Sequence, residues 1–161
     1  MLIYLRHGDD RGNDDYRHDR RLNARGREKA AKAAKRLIEK YGHPDVVYAS
    51  PFRRAIETLD AMSERFTKPV VVRGDPRIAQ HLSAKQQRDP QISPATRAQV
   101  AIDEDRDAFK RRVAAHVEEV RRATGLIWCV THQVVIEEVA EHFDVQISST
   151  IDFLDHVVML G

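Results

Sequence analysis

Four residues have side chains that could do chemistry together: Arg6, His7, Arg54 and His132. A phosphate-sized oxyanion needs several positive or hydrogen-bonding donors around its oxygens, and the planar fork of a guanidinium grips two oxygens at once. One imidazole could attack phosphorus while the other donates to the phosphoryl oxygens. Gly8, directly after His7, would let the backbone come close to such a group. Taken singly, each residue has an ordinary reading. A lone histidine after a strand is usually structural or solvated, an arginine near a helix start is usually solvated, and Ser50 reads as a helix N-cap. What makes them a set is placement, because each lies just beyond a short apolar run.

Those runs define the elements that must position the set. Leu2 to Leu5 reads as a buried first strand, stopped at Gly8. Asp9 to Arg21 is almost wholly polar and reads as a loop. Ala30, Ala34, Leu37, Ile38 and Tyr41 form a helical stripe over about 24–41, with Asn23 as N-cap and Gly42 as the stop. Asp45 to Ala49 is a second strand. A helix follows that opens at Ser50-Pro51 and carries Phe52, Ala55, Leu59, Met62 and Phe66 inward. Val70 to Val72 is a third strand. Arg73 to about Val100, with Pro76, Pro90 and Pro94, reads as an irregular excursion. A charged helix over 103–124 turns Phe109, Val113, Val117 and Val120 inward and ends at Gly125. Leu126 to Thr131 is a fourth strand, with Cys129 a buried core residue beside Trp128. A helix through Val135, Ile136, Val139, Ala140 and Phe143 and a last strand, Val157 to Leu160, complete the chain. Strands alternate with helices, which predicts an α/β three-layer sandwich around a central, largely parallel sheet. In such sheets ligands collect beyond the carboxyl ends of the strands. Arg6-His7-Gly8, Ser50-Pro51 and Thr131-His132 all fall there.

Composition narrows the classes. The 161 residues are 42% hydrophobic and 32% charged, enough for one core under a charged surface and unlike a disordered chain. A single domain over 1–161 is expected. Lys plus Arg number 27 against 25 Asp plus Glu, for a net charge of +2, which argues against bulk nucleic-acid binding. The single cysteine excludes an internal disulfide and favours a reducing compartment. The apolar run near it is too short to span a membrane, and Met1 to Leu5 leads straight into charged residues, unlike a signal peptide. A cytoplasmic location without membrane attachment is the expectation. His7, Asp9, Asp14 and His18 could be imagined around a metal, but the interleaved arginines would repel a divalent cation. Arg11, Arg17, Arg20 and Arg21 read as a solvated face of the loop, although they could bind further phosphates or an acidic partner.

Four ordered motifs resemble the histidine phosphatase superfamily, the group of phosphoglycerate mutase-like enzymes and phosphatases. Leu5 to Gly8 (LRHG) resembles its signature, whose histidine becomes phosphorylated. Asn13 matches a polar position in the loop that follows. Leu22 to Ala30 (LNARGREKA) resembles the LTxxGxxQA segment. Ser50 to Thr58 (SPFRRAIET) resembles SPxxRAxxT, which places the second phosphate arginine on Arg54. Val130 to His132 (VTH) resembles the second histidine motif, with Gln133 where glycine is usual. The resemblance runs from residue 3 to about residue 136. It implies a phosphoglycerate mutase-like fold in which Arg6, Arg54 and His132 hold the phosphoryl group, with Gly8, Asn13 and Gln133 lining the substrate position. It also implies that His7 Nε2 attacks in line and that water hydrolyses the phosphohistidine, with no metal or cofactor. His7 Nδ1 should then donate to a backbone carbonyl.

The sequence departs from the pattern at the general acid. Gln80 falls where the mutase branch carries glutamate, and Gln133 where the acid phosphatase branch places aspartate. An amide cannot serve as that acid. Asp9, Asp10, Asp14, Asp15 and His81 are the available substitutes. Without an efficient acid, labile phosphoryl groups are favoured over alkyl phosphates. The RHGD start (Arg6 to Asp9), SPF (Ser50 to Phe52) and the short excursion are similar to SixA-type phosphohistidine phosphatases. The expected partner is a phosphorylated substrate, either protein phosphohistidine or a small phosphate compound. The alternatives are a small-molecule phosphomonoesterase with an unconventional acid and a non-catalytic phosphate-binding module.

Overall fold

A computed structural model describes residues 1–12, 19–82, 92–100, 104–147 and 150–159. Five strands form one sheet in the order β3-β2-β4-β1-β5: β1 (Leu2–Arg6), β2 (Val46–Ala49), β3 (Val71–Gly74), β4 (Ile127–Thr131) and β5 (His156–Met159). All neighbours are parallel except β5, which runs antiparallel to β1. The helices are α1 (Ala24–Tyr41), α2 (Arg53–Ser63), the one-turn α3 (Pro94–Arg97), α4 (Arg106–Arg121) and α5 (Gln133–Phe143).

The period-two alternation of the strands decides which helices cover which face. Ile3, Leu5, Val47, Trp128 and Val130 pack with Ala30, Ala34 and Leu37 of α1 and Ala55, Leu59 and Met62 of α2. Leu2, Tyr4, Ile127 and Cys129 pack with Phe109, Val113 and Val117 of α4 and Ile136 and Val139 of α5. Cys129 is a buried core residue as expected, and because side chains alternate along β4 it and Trp128 belong to opposite layers. The expected three-layer sandwich is present. Among the described residues, no helix is long and apolar enough to cross a membrane.

Local signals explain most boundaries. Asn23 Oδ1 accepts from the Gly26 amide at 2.7 Å and caps α1. Gly42 at φ +97° and Gly125 at φ +93° turn the chain where a side chain would be strained. The start of α2 differs from expectation. Phe52, not Ser50, occupies its N-cap position and offers no capping side chain. The Arg53 amide instead donates to Asp19 Oδ1 at 2.8 Å, so a buried carboxylate from the preceding loop serves that helix end. The Phe52 side chain leaves the α2 stripe and joins Ala79, Leu82 and Ile92 in a small separate cluster. The excursion after β3 is only partly irregular: it contains a 3-10 turn over Pro76–Ile78 and α3.

Candidate active site

Register brings the chemistry together. Arg6 pairs with Thr131 and Ala49 with Val130, so β1, β2 and β4 end at one rim of the sheet. The next residues are tied across that rim: the His7 amide donates to Thr131 O at 2.9 Å and the Ser50 amide to Val130 O at 3.0 Å. His7 and His132 consequently face each other, with ring centroids 5.2 Å apart. Arg54, one residue into α2, lies between them. Its Nε donates to His7 Nε2 at 3.0 Å and its Nη2 to His132 Nδ1 at 3.2 Å. All three side chains are at least nine-tenths buried.

The partners assign the tautomers. His7 Nδ1 donates to the Gly8 carbonyl at 2.8 Å, which leaves a lone pair on Nε2. This is the carbonyl contact that the resemblance called for. Because His132 Nδ1 accepts from Arg54, its Nε2 donates to Ser50 Oγ, at 2.8 Å. Ser50 therefore aims the second imidazole and does not cap the helix. Burial, then the charge of Arg54, pushes both imidazoles well below the ordinary histidine range, so both are neutral. Burial lowers the Arg54 guanidinium to about 10, and it stays cationic near neutral pH. The site is a buried cationic pocket around an imidazole whose Nε2 is unprotonated.

Arg6 approaches from the other side. One Nη1 donates to Ile151 O at 2.5 Å and to Gln133 Oε1 at 3.1 Å, and the guanidinium lies 4.3 Å over the Phe153 ring. Among the described residues its buried Nε has no hydrogen-bond partner, and such a donor fits an oxyanion. Gln133 thus touches the site through Arg6, while its Nε2 donates to Glu137. Both backbone groups of Gly8 are engaged, its carbonyl by His7 and its amide by Thr58 Oγ1 at 2.9 Å, so it holds the loop that carries His7. Asn13 lies outside the described residues, as do Asp14, Asp15 and His18.

Three further residues support the site, two of them, Thr58 and Gly26, within the SPFRRAIET and LNARGREKA motifs. Thr58 accepts from the Gly8 amide and donates to Arg54 O, locking the His7 loop to α2. Phe153, in the loop before β5, lies 5.6 Å from His7 and had no motif to mark it. Gly26 packs so closely that a Cβ there would meet Asp9 O at 2.3 Å, which explains the glycine in LNARG. Gln80 does reach the site, as the motif spacing expects: its Oε1 accepts from Arg54 Nη2 at 2.5 Å. Asp9 is gripped by Arg11 through both oxygens, at 2.9 and 2.6 Å. Those bonds hold its carboxyl down at about 2, so it offers neither a proton nor a free ligand oxygen.

Comparison with known proteins bears on the fold and the family. The Phosphoglycerate mutase 1 of Saccharomyces cerevisiae is 37% identical over 68 residues, 40% of this chain and 28% of that enzyme, so the match spans under a third of the relative's length. The protein histidine phosphatase SixA complexed with tungstate superposes with a TM-score of 0.60 at 18% identity, covering 95% of this chain and 83% of that one. The ecdysone phosphate phosphatase of Bombix mori, also in complex with tungstate, gives 0.70 at 16% identity, covering 96% and 86%. At these identities the two structures establish the fold. The description of the histidine phosphatase superfamily, branch 1, matches residues 2–153, nearly the whole chain, and with its motifs folded into one pocket the chain belongs to that superfamily.

Proposed function

We propose that this protein is a phosphatase that works through a covalent phosphohistidine on His7. The observation that carries the reading is the His7 Nε2 lone pair, fixed by the Gly8 carbonyl on the opposite nitrogen and set against Arg54 and His132. Nε2 attacks phosphorus, and Arg54, Arg6 and His132 stabilise the equatorial oxygens. His132 donates from Nδ1 once Ser50 Oγ–H donates to its Nε2, a reversal the hydroxyl permits. The guanidiniums supply the charge stabilisation that a metal gives elsewhere, so turnover is expected to survive EDTA. The tungstate held by two structural neighbours is a tetrahedral oxyanion of the kind this pocket suits.

For the substrate we favour protein phosphohistidine or another labile phosphoryl group. Gln80 sits against Arg54 where the mutase branch carries its acid, and a group that leaves without much proton assistance suits such a site. The test is to quench the enzyme during turnover, isolate an acid-labile phosphoenzyme, and map it. A phosphoryl group on His7, formed faster from phosphohistidine than from an alkyl phosphate, supports both parts of the reading. Binding of vanadate without any phosphoenzyme would identify a phosphate-binding module instead. A small-molecule phosphomonoesterase is the second reading, favoured by one carboxylate beside Arg54, that of Asp10.

A further inference from the structure

We infer that Asp10 is the proton-transfer residue of this site, giving a proton to the leaving group and taking one from the hydrolytic water. The inference rests on the phosphatase reading above. Asp10 Oδ2 lies 3.8 Å from Arg54 Nε, the same nitrogen that donates to His7 Nε2 at 3.0 Å. Carboxylate and nucleophile thus flank one guanidinium edge. The Asp10 side chain is 16% exposed, so it sits at the mouth of the pocket, between buried groups and solvent. Its charge also acts on Arg6 and Arg11, so cations of β1 and the following loop face it as well as that of α2.

Among the described residues, three other carboxylates around the rim are committed, and the charge of a fourth, Asp152, acts on Arg6 and Arg11. Asp9 is chelated by Arg11. Buried Asp19 accepts from the Arg53 amide, Ser93 Oγ and Thr96 Oγ1. Glu104 is paired with Arg112 through both oxygens. Asp10, by contrast, has an ion pair at 3.8 Å, and no hydrogen bond from a described residue pins its oxygens. It is free to turn towards a bound group.

One proton balances the cycle: Asp10 gives it in the first half and regains it in the second. In the first half-reaction the His7 Nε2 lone pair forms the N–P bond. The bond from phosphorus to the leaving atom breaks, its electron pair stays on that atom, and the Asp10 proton moves to it. In the second half, a water oxygen bonds to phosphorus and the N–P bond breaks with its pair returned to Nε2. The Asp10 carboxylate takes the water proton, and the cycle closes. The second role applies to any substrate. The first matters most for poor leaving groups, so Asp10 extends the range of a site that has lost its usual acid at position 80.

The experiment compares wild type with Asp10→Asn on glycerol phosphate and 4-nitrophenyl phosphate, by stopped flow and phosphoenzyme trapping. With the alkyl ester, Asp10→Asn should lose about 10²-fold or more. With the nitrophenyl ester the first-turnover burst should persist, followed by a steady state slowed about tenfold with phosphoenzyme accumulating. Asp10→Glu, which keeps a carboxyl, should recover most of the alkyl ester rate. Equal losses on both esters without a burst, or a change under about twofold on either, would overturn the assignment while leaving the phosphatase reading intact. If wild type itself forms no phosphoenzyme and hydrolyses neither the two esters nor phosphohistidine, the phosphatase reading falls and the role of Asp10 with it.

Discussion

The sheet carries two polar clusters built around buried histidine, and they behave oppositely. At the rim, His7 and His132 face two guanidiniums. Within the α4 and α5 layer, His116 lies between Asp75 and Cys129: Nδ1 is 2.9 Å from Asp75 Oδ2 and Nε2 is 3.6 Å from the Cys129 sulfur. By residue type the second cluster looks the more catalytic, an aspartate, a histidine and a thiol in series. Yet His116 and Cys129 are fully buried, tyrosine rings pack edge-on against the imidazole, and burial pushes the thiol well above its ordinary range. A thiol that cannot ionise is no nucleophile. The inner cluster is structural. Asp75 accepts from the Arg77 amide and side chain and donates its own amide to Ala49 O, anchoring the turn that presents Gln80. Residue type is therefore a poor guide to reactivity, and access and the sign of the neighbouring charge are better ones.

That contrast can be broken in stages. The largest effect should come from His7→Ala, which removes the nucleophile and should reduce turnover by about 10⁴-fold or more, with no phosphoenzyme trapped. A residual phosphoenzyme would mean that the wrong histidine has been assigned. Next in size, His116→Ala or Asp75→Ala should lower unfolding free energy by about 3 kcal/mol, since each strands a buried polar partner, while kcat changes by less than about tenfold. Denaturant titration beside turnover separates the two; a loss of activity at unchanged stability would make the inner cluster catalytic after all. Ser50→Ala should cost about tenfold in kcat by freeing the His132 ring, with little change in stability, and Ser50→Thr should restore it in part. The smallest effect concerns pH. The folded site refuses protons that the unfolded chain accepts near pH 6.5, so stability should fall as pH drops from about 7 to 5. In parallel, imidazole ¹⁵N shifts should show His7 and His132 still neutral at pH 6.5; an ordinary titration of either would remove its guanidinium contact.

Much of the fold was legible because hydrophobic periodicity is a local property. The stripe of α1 and the apolar runs of β1, β2 and β4 stand where the residues imply, and Asn23 caps the helix that it precedes. Boundaries moved where tertiary contacts competed: Ser50 turned to His132, Asp19 took over the end of α2, and Phe52 went into its own cluster. Phe153 had no motif to mark it, since its role exists only through Arg6 and His7 at the other end of the chain, and although Thr58 closes the SPFRRAIET motif, its bond to the Gly8 amide spans fifty residues.

The sequence by itself determined the alternation of strands and helices, the residues able to grip a phosphoryl group, and an amide at position 80, because these are statements about side-chain type and order. Only the tertiary structure decided which histidine keeps an attacking lone pair, which is locked in the core, and which carboxylate remains free beside Arg54. Protonation and freedom to move depend on what surrounds a group, and those surroundings are assembled by parallel strands whose register the linear chain does not spell out.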